Sequence, residues 1–134
     1  MSAEGGLPIA SPILAITNDA DHSDKVGQGV FMSSALSSLV TSDTALTAIG
    51  VISNGGISGG DDSVVPFSSG HKTRVKLAAS PGTIVVGTLL ALHTDGTFKA
   101  SATGKAECAV ALQIGTSKGG ALIYAQLFQP RTGA

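Results

Sequence analysis

The chain has 134 residues, the size of a single domain, and only 13% of them are charged, about half the share usual in soluble domains. Its formal net charge of −1 disfavours nucleic acid or an anionic membrane surface as a partner, and no apolar run reaches the length of a membrane span. Because a small monomer so poor in charge would expose much neutral surface, we expect part of that surface to be buried against other chains.

Residues 1–17 are predicted to form an extended N-terminal arm in front of a single β domain at 18–134. Pro8 and Pro12 prevent a helix there and bias their neighbours towards an extended backbone. The following ILAIT is apolar enough to pair with another strand. The first residues, MSAEGGLPIASPILAITND, lack the basic start and long apolar core of a signal peptide, so we expect synthesis in the cytoplasm without export.

The segment at 18–29, NDADHSDKVGQG, is predicted to be a polar turn. Its opening is similar to a calcium loop, but Asp24 stands where that loop needs glycine and Val30 where it needs glutamate. A polar turn with Asx caps is therefore favoured over a metal site. The titratable residues concerned are Asp19, Asp21, His22 and Asp24.

The segment that follows carries weaker signals. Met32, Leu36 and Leu39 recur at roughly helical spacing within MSSALSSLVTSD, which predicts one or two helical turns and at most one short helix. TALTAIGVIS is predicted to be a strand. NGGISGGDD at 54–62 holds four glycines and predicts a flexible loop or a long hairpin tip.

From residue 63 onward the pattern predicts strands throughout. SVVPF contains Pro66 and is expected to be an edge piece or a connection, whereas TIVVGTLLAL is predicted to be a buried strand broken at Gly87. ECAVALQI and ALIYAQLF are two further strands, and Cys108 in the first of them is expected to be a buried small apolar residue. Short strands at close spacing predict an all-β sandwich or small barrel.

LLALHTDGTFKAS at 89–101 is the clearest hairpin. A two-residue loop would mix polar and apolar side chains on both faces, whereas the three-residue loop Thr94-Asp95-Gly96 collects the apolar ones on one face. We prefer the second register, which pairs Leu90 with Ala100, Leu92 with Phe98 and His93 with Thr97. In it, His93 and Asp95 are turn residues rather than a catalytic pair.

The chain offers few residues for chemistry. The spacing of a phosphate-binding loop is absent. If the chain were an enzyme, its best candidates for catalytic side chains would be Asp61, Asp62 and His71. HKTRVKLAA alternates, with Val75 and Leu77 on one face and a basic stripe on the other, formed by Lys72, Arg74 and Lys76. The stripe is either a charged face that protects an edge strand or a contact for an acidic protein surface.

The stretch from about 70 to 128 resembles the capsid decoration, or cement, proteins of tailed bacteriophages. The motifs behind the resemblance are Gly87-Thr88-Leu89-Leu90, Asp95-Gly96-Thr97-Phe98, Ala109-Val110-Ala111-Leu112 and the final strand from Leu122 to Phe128. Residues 31–69 and the arm depart from the family's pattern. The resemblance implies a small β-barrel or β-tulip-like domain, usually trimeric, that stabilises the outside of an expanded icosahedral capsid near its local threefold axes.

Membership of that family implies a virion protein made in the host cytoplasm, with no catalytic, metal or cofactor site. Its partners would be the major capsid protein and further copies of itself. The arm would add a strand to a capsid subunit while the barrel makes the trimer. The expected capsid-contact residues are Leu7, Pro8, Ile9, Pro12, Ile13, Leu14 and Ile16.

Three rival functions remain. One is another virion subunit, such as a tail, fibre-base or head-associated protein. Another is a small β-barrel enzyme that uses Asp61, Asp62 and His71. A carbohydrate-binding domain is disfavoured, because sugar platforms use aromatic faces and this chain has one Tyr and no Trp.

Overall fold

The computed structural model describes residues 13–115 and 120–134, and it confirms the all-β prediction. Two antiparallel five-stranded sheets make up the protein, and within the described ranges no helix is long or apolar enough to cross a membrane. The strands are β1 (Leu14–Thr17), β2 (Gly29–Ser33), β3 (Leu36–Leu39), β4 (Gly50–Asn54), β5 (Asp61–Pro66), β6 (Lys72–Lys76), β7 (Leu89–Leu92), β8 (Phe98–Ala100), β9 (Ala106–Ala111) and β10 (Leu122–Thr132).

Sheet 1 takes its strands from the first half of the chain, in the order β1-β5-β4-β2-β3. Its two edges meet, because Asn18 at the end of β1 forms a parallel bridge with Ser37 in β3. Sheet 1 is therefore curled, and the inside of this curl encloses a small apolar cluster of Val30, Ile52 and Val64, all fully buried.

The end of the predicted arm is part of this sheet. Residues 14–17 form β1, which is antiparallel to β5 with Ile16 opposite Asp62. Ile16 packs against the apolar cluster inside the curl, so its side chain helps to hold β1 on the domain. The other arm residues up to 12 lie outside the described residues.

A hairpin of β2 and β3 replaces the helical turns predicted over 32–43, and that prediction is wrong. The two turn residues, Ser34 and Ala35, have φ values of 51° and 65°, as a type I′ turn requires. Neither residue is the Gly, Asn or Asp that usually marks such a turn, and the leucine spacing therefore suggested a helix. The predicted strand TALTAIGVIS is also shorter than expected, since it begins with a 3₁₀ turn at Ala45–Thr47 and only then enters β4.

Sheet 2 takes its strands from the second half, in the order β6-β10-β9-β7-β8. The predicted strand TIVVGTLLAL is present only as β7, because residues before it form no strand and Val85 and Val86 are exposed. The predicted break at Gly87 is therefore wrong, because no strand precedes it; Gly87 lies in the turn that leads into β7, with a left-handed φ of 94°. SVVPF was expected to be an edge piece or a connection, yet β5 is an interior strand between β1 and β4, with Pro66 at its last position.

The predicted register of the β7–β8 hairpin is confirmed: Leu90 faces Ala100 and Leu92 faces Phe98. His93 and Thr97 close it through a backbone hydrogen bond of 2.7 Å. Gly96 is left-handed as expected, and Asp95 is left-handed as well, with a φ of 63°.

The two sheets share one apolar core. Val51 and Val65 of sheet 1 belong to the same buried cluster as Leu77 and Leu90 of the second half. The sheets approach each other closely where the β7–β8 turn meets β2, because a Cβ added to Gly96 would lie 2.2 Å from the Gly29 carbonyl oxygen. Only glycine fits there.

Candidate functional site

Asp62 is the centre of a buried polar cluster at one end of sheet 1. Its carboxylate accepts hydrogen bonds from Asn18 Nδ2 at 3.1 Å and Ser37 Oγ at 2.9 Å, and the Gly56 amide donates at 3.0 Å. His22 Nδ1 lies 2.5 Å from Oδ2. Asp62 and Ser37 are fully buried, and Asn18 and His22 are nearly so.

The cluster holds its carboxylate in the charged form. Burial by itself would raise the pKa of Asp62, but the hydrogen bonds from His22, the Gly56 amide, Asn18 and Ser37 together keep that pKa below its usual value. Ser37 donates to Asp62 and not to His22, so the three side chains do not form a nucleophile–base relay.

The same cluster fastens the glycine-rich loop to the sheet. The Asn18 side-chain amide donates to the carbonyl oxygens of Gly56 and Ile57, each at 2.9 Å, and its oxygen accepts from Gly59. Of the two predictions for 54–62, the long hairpin tip is therefore confirmed, since the segment joins the paired strands β4 and β5 and is tied down at several backbone positions. The arrangement is structural, since its polar atoms are occupied by one another.

The enzyme candidates are not brought together. Asp61 and Asp62 are successive residues of a strand and point to opposite faces, so Asp61 is exposed and accepts a hydrogen bond from Thr17. His71 stands just before β6, where its carbonyl accepts from the Leu127 amide. Sequence analysis missed the partnership of Asp62 with His22, because no local spacing signals a pair separated by 40 residues.

The turn similar to a calcium loop behaves as an Asx-capped turn. Asp21 Oδ1 accepts the Ser23 amide at 2.9 Å, and the hydrogen bonds from Ser23 lower the pKa of Asp21. His22 points into the domain, while Asp24 is exposed beside Lys25. Within residues 13–115 and 120–134 no group of three His, Cys, Asp or Glu side chains is placed to hold a metal ion.

Two further sequence predictions concern single residues. Cys108 is fully buried, as expected, and burial raises the pKa of its thiol so that it stays protonated. His93 is exposed beside the turn, and the backbone carbonyl of Asp95 accepts Gln28 Nε2 at 2.7 Å. Asp95 thus serves the turn and the contact between the sheets.

The most unusual surface is the outer face of sheet 2. Along β10, Ile123 and Ala125 point into the core, whereas Leu122 and Tyr124 point out and are 39% and 45% exposed. An antiparallel sheet normally presents polar side chains to water. The outer face, as the term is used below, consists of Lys72, Arg74, Lys76, Leu89, Val110, Leu122, Tyr124 and Gln126, which pair across neighbouring strands.

The basic stripe forms one margin of the outer face. Arg74 is exposed opposite Tyr124, and Lys72 Nζ lies 5.6 Å from the centroid of the Tyr124 ring, in cation–π range. Lys76 is half-buried, with Nζ 3.4 Å from Gln28 Oε1. The inward positions of Val75 and Leu77 are confirmed. Because β6 is an edge strand, both interpretations of the stripe remain compatible with its place.

Further exposed apolar side chains extend the outer face at one end. Val86 is 64% exposed and Ile114 is 71% exposed, and the Leu112 amide donates to the Tyr124 carbonyl oxygen, which places these two residues side by side. Backbone hydrogen bonds from Gly87 to Ala111 and from Gly115 to Ile84 hold the two segments side by side. Exposed apolar side chains grouped on one part of a surface are typical of interaction sites.

Only part of the predicted capsid-contact arm can be located. Ile13 and Leu14 are both 46% exposed, and Ile16 is half-buried. Leu7, Pro8, Ile9 and Pro12 lie outside the described residues.

Charge is divided between the two halves, a feature that sequence analysis missed. Residues 13–66 contain six acidic and one basic residue, whereas residues 67–134 contain two acidic and seven basic residues. The first half, which forms sheet 1, thus carries a formal charge of −5, and the second half, which forms sheet 2, carries +5. Counting charge by segment would have revealed the division that the whole-chain value of −1 conceals.

Comparison with known proteins identifies a shared fold. No protein-family model and no curated protein matches this chain. Among solved structures the chain is similar to the crystal structure of head fiber gp8.5 N base in bacteriophage phi29, with a TM-score of 0.63. The match covers 91% of this chain and 99% of that chain at 16% sequence identity. At that identity the likeness shows the fold alone.

Proposed function

We propose that this chain is a structural protein of a bacteriophage virion, and that it binds the outside of the expanded capsid and stabilises it as a decoration protein. The observation that carries the proposal is the likeness to a phage head fiber base along nearly the whole of both chains. The family resemblance of residues 70 to 128, on independent grounds, points to the same part of a virion.

A decoration protein needs contacts rather than catalysis. Many moderate contacts repeated over a capsid lattice give strong attachment by avidity, without a single tight site. Binding the expanded lattice in preference to the unexpanded one stabilises the expanded state by mass action. The exposed apolar side chains of the outer face supply contact area for such an assembly.

We assign the partners as the major capsid protein and further copies of this chain, in a trimer near a local threefold axis. The arm residues before β1 would add a strand to an exposed sheet edge of a capsid subunit, which gains main-chain hydrogen bonds. Because β1 already pairs with β5, this role falls to residues 1–12. No catalytic, metal or cofactor role is assigned.

A second candidate is the base of a fibre attached to the head, which is what the printed name of the similar structure describes. The two candidates differ in their effect on the capsid. A decoration protein raises the temperature at which the capsid disassembles, whereas a fibre base binds without that effect.

The test is co-sedimentation of the purified protein with expanded, undecorated capsids and with unexpanded procapsids of the source virus. We expect saturable binding to expanded capsids only, at a fixed ratio to capsid subunits, and a higher disassembly temperature. Binding without a change in that temperature would favour the fibre base. No binding to either particle would contradict both candidates.

Deletion of residues 1–12 tests the arm and leaves β1 in place. We expect the truncated protein to keep its circular dichroism spectrum and its oligomeric state, and to lose capsid binding. A matched control is Lys105→Glu, a change at an exposed turn far along the chain from the arm. Unchanged capsid binding by the truncated protein would overturn the role of the arm.

A further inference from the structure

We infer that the outer face of sheet 2 binds a second copy of this chain in a head-to-tail contact, against the acidic end of sheet 1. The inference deepens the oligomer of the proposed function by naming its surfaces, and its test requires no capsid. The acidic end is defined by the exposed residues Asp21, Asp24, Asp61 and Ile57.

The outer face is complementary to a partner that carries negative charge. Its centre is apolar, with Leu122 and Tyr124 exposed, and its β6 margin carries Lys72 and Arg74. A symmetric contact whose twofold axis crosses the strands would place the basic stripe of one copy against that of the other, and like charges in contact oppose association. An occupant that presents acidic side chains around an apolar centre is complementary to both the margin and the centre of the face.

The acidic end of sheet 1 has those properties. Ile57 at the tip of the glycine-rich loop is 72% exposed. Asp61 follows the loop as the first residue of β5 and accepts a hydrogen bond from Thr17, and the Asn18 side chain ties the loop to the turn that carries Asp21 and Asp24. This end thus combines a projecting apolar side chain with carboxylates, which complements the outer face.

The division of charge makes the contact directional. A half with a formal charge of −5 and a half with +5 attract across two copies when the first half of one faces the second half of the next. A contact between two different surfaces closes into a ring when its rotation permits, and a trimer is one such ring.

The experiment is a charge swap read by sedimentation velocity at about 0.15 M and at about 1 M salt. The basic-face variant carries Lys72→Glu and Arg74→Glu, and the acidic-end variant carries Asp21→Lys and Asp24→Lys. We expect each variant to weaken self-association by about tenfold or more, because each places like charges in contact.

The combined variant, with all four substitutions, is the decisive one. It keeps the whole-chain charge, since the two pairs of changes cancel, and every contact in a ring again joins opposite charges. We expect it to recover the oligomer of the unsubstituted chain. Lys105→Glu, which makes the same charge change as Arg74→Glu at an exposed turn, should leave association unchanged. Circular dichroism on every variant establishes that it is folded.

Failure of the combined variant to recover the oligomer, with both parent variants weakened and folded, would overturn the head-to-tail contact. So would an unsubstituted chain that stays monomeric at all concentrations. If that monomer still binds capsids and Arg74→Glu abolishes the binding, the outer face serves an acidic capsid surface instead. In that case the proposed function stands while this inference fails.

Discussion

The two sheets place their polar and apolar side chains in opposite ways. Sheet 1 buries a polar cluster around Asp62 inside its curl, whereas sheet 2 leaves apolar side chains such as Tyr124 on its surface. In sheet 1 the polar groups satisfy one another, so they serve the fold of this chain. In sheet 2 the apolar groups remain partly exposed, so the fold of this chain leaves them accessible to solvent. The difference shows that burial of polar groups stabilises sheet 1, whereas exposed apolar groups distinguish the surface of sheet 2.

The two regions should also respond differently to substitution. A buried network is interdependent, since removing its central group leaves several donors without an acceptor in a dry environment. The side chains of an exposed sheet face contribute to stability independently of one another, since each can be changed with little effect on the fold. Substitutions in sheet 1 are therefore expected to act on stability, and those on the outer face on association.

The largest effect is expected from Asp62→Ala. The change leaves His22, Asn18, Ser37 and the Gly56 amide without their shared acceptor, and should lower the free energy of unfolding by about 3–5 kcal/mol. Urea unfolding at neutral pH, followed by circular dichroism, measures it.

The adjacent residue provides the matched control for that measurement. Asp61→Ala changes an exposed carboxylate on the other side of the same strand and should alter stability by about 0.5 kcal/mol or less. Equal losses for the two variants would show that the buried cluster has no special role.

A smaller effect is expected where the sheets meet. Gly96→Ala puts a methyl group 2.2 Å from the Gly29 carbonyl oxygen and also strains a left-handed residue, so it should lower stability by about 2–3 kcal/mol. Gly104→Ala shares the left-handed strain, with φ of 80°, but meets no atom within 4 Å and should lower stability by about 1 kcal/mol. Thermal unfolding of the two variants separates strain from steric clash, and equal losses would contradict the close approach of the sheets.

The smallest effect is a difference in acid sensitivity. The pKa of Asp62 is lowered in the folded state, so the unfolded chain takes up this proton at a higher pH. The stability that Asp62 contributes is complete above its unfolded pKa of about 3.9 and is lost as the pH falls through the lower folded value. Asp62→Asn should therefore lose less stability than the unsubstituted protein between about pH 6 and pH 3.

Glu107 in sheet 2 serves as the comparison for that pH dependence. Hydrogen bonds from Arg131 and Ser101 lower its pKa too, so its contribution has the same sign. Because the Arg131 side chain is 60% exposed, solvent screens the pair and Glu107→Gln should change the acid sensitivity less than Asp62→Asn does. Urea unfolding of each variant at about pH 6 and about pH 3 measures the loss of stability between the two pH values. A larger change from Glu107→Gln than from Asp62→Asn would contradict the expectation.

Local chemistry explains which elements could be predicted. The β7–β8 register followed from Asp95-Gly96 and from alternation over a few residues on each side. The inward positions of Val75 and Leu77 and the burial of Cys108 followed from the same kind of pattern. The β2–β3 hairpin was missed because Ser34 and Ala35 carry no turn signature, although both adopt left-handed φ.

The sequence by itself determined the all-β class, the hairpin that closes at Gly96 and, when counted by segment, an acidic first half and a basic second half. These features depend on residues close together in the chain or on composition alone. Only the tertiary structure decided that Asp62 meets His22 and that Val86 and Tyr124 face outward. Burial depends on which strands become neighbours, and contacts between residues far apart in sequence determine that order. The same alternating strand can therefore turn either face to water.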